Sequence, residues 1–362
     1  MHLRRLSNII LMLTLAVGSA HAAGPQGDEK VDLNALYQEI DEAISQSPQY
    51  VAELERQITA CRDSLKIEEN AENRLLLAER LFRLYEPYRN DSAFYFIERC
   101  ISLADSLRRP DLIGRFRSLL AYQCSRTDMH TESLEQLRLV NKSALDKRGL
   151  VDYYHAWMHV CGELGLYSQR QDIVQRSFRL QDLYRDSVLM VAEEGSEEWC
   201  HLKVDILSAR RFYQDALEIS NQWLQNVTEG THESAYAAFY RSMIYDRLNN
   251  HDMVRYWLGK SALDDIKCAV MNQASLLFLA EHLANDGDLS RARRYMEFAK
   301  DCNLTFCPRL RNYQVTRLLN IIEKDNQATL ARSDLILKIA IGVITILLIT
   351  LIVMCIKRKK QK

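Results

Sequence analysis

Glycine and proline are scarce in this chain. Only 12 glycines and 5 prolines occur in 362 residues, well below the usual ~7% and ~5%. Tight β-turns draw on those two residues, so a sandwich, propeller or barrel is excluded as the main architecture. The same poverty removes the loops that cradle phosphates, and neither GxGxxG nor GxxxxGK[ST] occurs. No serine sits in a GxSxG elbow. The nine cysteines form no CxxC pair and follow no zinc spacing. They fall mostly within apolar helical stretches and read as small buried hydrophobes. Cys302 and Cys307 are the one pair close enough in sequence to bridge across a turn.

Charge of one sign is concentrated at the ends. The net charge of −1 includes Arg4 and Arg5 at the start and Lys357, Arg358, Lys359, Lys360 and Lys362 at the finish, so the stretch between carries −8. An acidic middle of that kind argues against nucleic acid as a partner.

The ends also place the chain. Arg4 and Arg5, the apolar run Ile9 to Val17 and the small-x-small site Ala20-His21-Ala22 read as a secretory signal over residues 1–22. Ile339 to Ile356 are 18 uncharged, mostly apolar residues. At ~1.5 Å per residue they reach about 27 Å, nearly a hydrocarbon core. With Leu335–Leu337 included, the span is expected over residues 335–356. The basic tail 357–362 follows at once, and positive residues stay cytoplasmic. The expected topology is therefore an exported array and a single membrane span with the C-terminus inside.

Between the ends the apolar period is helical, as in Leu75, Leu76, Leu81, Phe82 and Tyr85. Second helices of successive pairs are expected near Pro48, Asp91, Asp128, Ser168, Arg211, Asn250 and Asp288, at intervals of 37 to 43 residues. Pro48 and Pro110 suit first-turn positions. An all-α solenoid of about seven helix pairs is expected over residues 23–306, each pair packing only on its neighbours and leaving a concave side. A stalk helix over 307–334 then leads to the membrane.

The clearest unit runs from Leu276 to Ala299. Leu279, Ala280, Leu283, Ala292, Met296 and Ala299 hold the packing positions, and Gly287 allows a left-handed cap at the turn. This unit resembles a tetratricopeptide (TPR) repeat, with Leu304 where the family has proline. The wider order resembles a Bacteroidales family with a signal peptide, a divergent TPR array and one transmembrane helix. Residues 256–267, 274–299 and 310–315 carry that likeness. The resemblance implies a periplasmic array, anchored in the inner membrane, that binds a protein or peptide. Its members usually continue into a cytosolic domain of unknown function and are classed as regulators of transcription. This chain departs by ending six residues after the span. Six residues cannot build an output domain, so signalling is expected only through another membrane protein, or not at all. The alternative is the sensor part of a regulator whose output domain is missing or supplied by a partner. The resemblance also implies O-glycosylation at Asp-Ser-apolar triplets, here Ser64, Ser92, Ser106 and Ser187.

Candidate chemistry is sparse. His155 and His159 share a helix face, but Ala156 stands where a zinc protease needs glutamate, and two histidines are too few for a metal centre. No catalytic residue, cofactor or metal is expected. Aromatics offer groove anchors instead: Tyr153, Tyr154, Trp157, Tyr236 and Tyr240, whether exposed on the concave wall or buried as packing residues. A weak homodimer through the stalk is a further expectation.

Overall fold

The computed structural model describes residues 31–306 and 312–360; the expected signal segment 1–22 and the tail residue Lys362 lie outside them. Among the described residues there is no strand. Fourteen α-helices follow one another: α1 Leu33–Ile67, α2 Ala71–Tyr85, α3 Asn90–Ser106, α4 Pro110–Arg126, α5 His130–Arg138, α6 Lys147–Tyr167, α7 Gln171–Val191, α8 Glu197–Ala209, α9 Tyr213–Asn226, α10 His232–Arg247, α11 His251–Lys267, α12 Ala274–Asn285, α13 Leu289–Phe306 and α14 Asn312–Lys360. From α2 onward they pair as α2/α3, α4/α5, α6/α7, α8/α9, α10/α11 and α12/α13.

Local chemistry sets the helix ends. Asp32, Asn70, Asp146, Ser196, Thr231 and Asn250 accept a backbone N–H from the first turn of the helices they precede. Pro110 opens α4, where its missing N–H costs nothing.

Six of the turns share one device. Arg108, Asp128, Arg211, Asn249, Ala269 and Gly287 all have φ between 52° and 90°. In each case the next residue donates its N–H to the carbonyl five positions back: Arg109 to Ala104, Met129 to Cys124, Phe212 to Leu207, Asn250 to Tyr245, Val270 to Asp265 and Asp288 to Leu283. This is the Schellman closure, which usually takes glycine at the left-handed residue. Here glycine serves only once in six.

The first helix departs from the sequence expectation. Pro48 does not begin a second helix; it lies inside α1, which is continuous for 35 residues. Proline removes a hydrogen bond from a helix interior, at about 3 kcal/mol. Burial on both sides of Pro48 outweighs that loss. Leu36, Tyr37, Ile40 and Ala43 are buried before it, and Ile58, Cys61 and Leu65 after it.

Those two groups enter different cores, and that changes the architecture. The later half of α1 packs with α2, α3 and α4 in a core containing Leu81, Phe82, Ile97 and Phe116. The earlier half packs with α11, α12 and α13 around Leu258, Leu263, Leu279, Tyr295 and Met296. The α12 and α13 positions Leu279, Ala280, Leu283, Ala292, Met296 and Ala299 are all buried there. Tyr295 donates its hydroxyl to the Tyr37 carbonyl at 3.2 Å. Gly259 of α11 lets the first helix approach: a Cβ there would stand 2.7 Å from Leu36. The seam continues where Met271 N–H donates to the Pro87 carbonyl at 2.9 Å. The pairs therefore do not pack only on sequence neighbours. The array closes on itself, with α1 across the seam.

Beyond the array, stalk and span form one helix, α14, of 49 residues. Its segment Thr329–Leu351 is long and apolar enough to cross a membrane, and none of it is buried in the protein. That segment starts a few residues before the expected 335–356, taking in Asp334 and Lys338, which pair at 2.6 Å one turn apart.

Candidate functional site

The first helices of four successive pairs place a run of rings side by side. Tyr122 of α4 lies 4.8 Å from His155 of α6 and 4.9 Å from His159, centroid to centroid. His155 lies 6.4 Å from His201 of α8. His201 lies 4.3 Å from Tyr240 and 5.6 Å from Tyr236, both on α10. Trp223 of α9 supports the two tyrosines from behind at 5.9 and 6.0 Å. The result is a ladder of aromatic and imidazole faces across the inner wall. Tyr122, His155, Tyr236 and Tyr240 remain half-buried, so their faces are not used up in the core.

Hydrogen bonds and an ion pair support the ladder. Ser125 Oγ and His159 Nδ1 are 2.7 Å apart, and the Tyr236 and Tyr240 hydroxyls 3.3 Å apart. The Arg126 guanidinium sits 5.5 Å over the Tyr122 ring and pairs with Glu86 at 3.3 Å. His232 holds Asp265 at 2.7 Å.

The surroundings drive most of this wall toward neutral forms. Burial pushes the His155 imidazole below its ordinary value, and burial followed by repulsion from His155 takes His201 to about 3. Burial raises the phenols of Tyr122, Tyr236 and Tyr240. Enclosure, then the neighbouring Glu198 charge, lifts Glu197 to about 7. His232 is the exception. Burial works to lower it, but the hydrogen bond and charge of Asp265 win and raise it. Glu86, at the end of α2, is close enough for its charge to act on His155, Glu197 and His232 of three other pairs. The inner wall is therefore one electrostatic environment, mostly uncharged and rich in hydroxyl, imidazole and ring faces.

The sequence-expected groove residues divide. Tyr236 and Tyr240 stand on the ladder. Tyr153 packs against Tyr154 and Trp157 of its own helix, at 5.5 and 6.4 Å, and the latter two turn to the partner helix of their pair. Trp157 stacks on Tyr184 of α7 at 5.3 Å, and Tyr154 lies 6.2 Å from the same ring. Tyr122, His201 and Arg126 carry no sequence motif and were not anticipated. The available signal was the His155/His159 spacing, which marks the inward face of α6.

Among the described residues one group, Asp128, His130 and Glu163, brings three potential metal-binding atoms within 4.8 Å, with Asp128 exposed; His155 and His159 are not in it. Cys61, Cys100, Cys124, Cys161, Cys200 and Cys302 are buried free thiols, and Cys307 lies outside the described residues. Ser64, Ser92, Ser106 and Ser187 all lie within helices, and three of them spend their hydroxyl on a carbonyl of their own helix. Lys357, Arg358, Lys359 and Lys360 form the last turn of α14, their side chains outside the described set.

Comparison with known proteins adds the family. A family model described as the SusR N-terminal TPR domain matches residues 44–317. No curated protein matches the chain. Among solved structures, the TPR2AB-domain:pHSP90 complex of yeast Sti1 aligns with 79% of this chain and 99% of its own. Identity there is 8% and the TM-score 0.31, a superposition too loose to transfer any site.

Proposed function

Since the chain belongs to the SusR N-terminal TPR domain family over residues 44–317, we propose that it is a protein-interaction module of the periplasm, tethered to the inner membrane by α14. Arrays of this kind bind through shape and a few anchors rather than through catalysis. The observation that carries the reading is the ladder Tyr122–His155–His201–Tyr240–Tyr236, aligned over four pairs with its faces half-open. Large, stiff rings of low conformational entropy are favoured anchors for a peptide segment. The ring faces themselves are neutral, so they suit an uncharged stretch better than an acidic or basic one, whose desolvation they do not offset. We read α14 as the device that keeps the bound segment near the membrane, where a partner could carry a signal inward.

Site-specific photocrosslinking in the native envelope tests this. A benzophenone side chain at Tyr240 or His155 is expected to trap a partner protein. One at Leu183, exposed on α7, is expected to trap none. Adducts from position 183 alone would refute the inner-wall reading.

A further inference from the structure

A second cleft lies between helices α9 and α11, with α10 beneath it. Its volume is about 360 Å³, within the range that small-molecule sites use. Glu218, Asn221, Gln222, Leu224 and Gln225 of α9 form one wall, and Arg241 and Trp257 complete it. The four polar α9 residues follow the i, i+3, i+4, i+7 spacing of a single helix face.

Arg241 is the unusual member. Its guanidinium lies 4.7 Å over the Trp257 ring and 5.6 Å from that of Tyr245. Nη1 donates to Asn221 Oδ1 at 2.6 Å and to Ser220 Oγ at 3.3 Å. Arg115, Arg126 and Arg291 each meet a carboxylate. Arg241 meets none among the described residues; its Nε and the Trp257 Nε1 also lack an acceptor, though both atoms are shielded from solvent. A half-buried guanidinium with only neutral partners leaves its positive charge without a counter-ion.

The cleft does hold one carboxylate, but it is not used on Arg241. Glu218 receives Gln222 Nε2 at 3.4 Å instead. Glu218 lies one turn before Asn221 and Gln222, about 5 Å along the helix axis. One cleft thus has a cationic end and an anionic end, with amides between them and a gap that the two charges do not close.

We propose that this cleft binds a small zwitterion of amino-acid size, its carboxylate on Arg241 and its ammonium on Glu218. The Asn221, Gln222 and Gln225 amides add hydrogen bonds, and Trp257 supports the guanidinium from behind. The site lies apart from the inner-wall ladder and does not depend on the proposed peptide binding there.

The test is calorimetry on the full chain in detergent micelles, using each of the twenty common L-amino acids, with acetate and methylamine as single-charge probes. At least one amino acid is expected to bind, and acetate and methylamine are not. Arg241→Gln and Glu218→Gln should each weaken that binding about tenfold or more. If Arg241→Gln does not fold, Glu218→Gln decides, since that side chain is exposed and bonds only Gln222. No binding by any amino acid at millimolar concentration overturns the proposal. Tighter binding by Glu218→Gln also overturns it, because it marks the site as one for simple anions.

Discussion

At the scale of single residues, the missing glycines explain how the turns are made. Six helix ends close by the same left-handed hydrogen-bond pattern, yet five of them put a side chain where only glycine is free of strain. A Cβ in that conformation costs roughly 1–2 kcal/mol, while glycine costs about 0.5–1 kcal/mol in unfolded-chain entropy. Arg108 is exposed, so Arg108→Gly is expected to stabilise the protein by about 0.5–1 kcal/mol, read as a higher melting temperature. Gly287→Ala should do the reverse, at φ +90°. His201 gives a second residue-scale expectation. Folded, it titrates near 3; unfolded, near 6.5. The contribution is complete above pH 6.5 and is lost as pH falls, because only the unfolded chain takes the proton. By pH 5 the loss is about 2 kcal/mol. Comparing denaturant unfolding at pH 7.5 and pH 5, the His201→Phe variant should lose that much less stability than the wild type. Equal losses would show that His201 is protonated in the folded protein.

At the scale of elements, the pair order was legible because it is written locally. Six expected second-helix starts, Asp91, Asp128, Ser168, Arg211, Asn250 and Asp288, lie within three residues of helices beginning at Asn90, His130, Gln171, Tyr213, His251 and Leu289. Turn polarity and the 3.6-residue period suffice for that. Pro48 misled for the same reason. A local rule ends a helix at proline, while the burial that holds the half of α1 before it comes from residues more than 200 positions away. The ladder was half legible. Tyr236 and Tyr240 stand out in sequence, but Tyr122 and His201 join them only because helices of neighbouring pairs pack in register. The role of α1 can be tested by Ile40→Ala, which empties a site of 0% exposure. The expected cost is about 2–5 kcal/mol. Because Ile40 lies on the seam, hydrogen exchange should quicken in α11, α12 and α13 as well as in α1. Exchange that quickens in α1 alone would mean the seam contributes nothing to the last pairs.

At the scale of the whole molecule, closure is what turns an array of helix pairs into an enclosed wall. An open solenoid would leave its first and last pairs apart and its concave side bare to solvent. Here α1 ties α11 through α13 to α2 through α4, and Glu86, Arg126 and the His232–Asp265 pair, from three separate helix pairs, influence one another. The neutral state of His155 and His201, and hence the kind of segment the wall can take, depends on that enclosure. The most direct measurement is a spin-label distance across the seam, in the full chain in lipid nanodiscs. The labels go on Gln38 of α1 and Glu297 of α13, both exposed positions on helices that meet there. Closure predicts a single narrow distribution at short distance. A broad distribution at long distance would show the ends apart, and the enclosed inner wall would not exist.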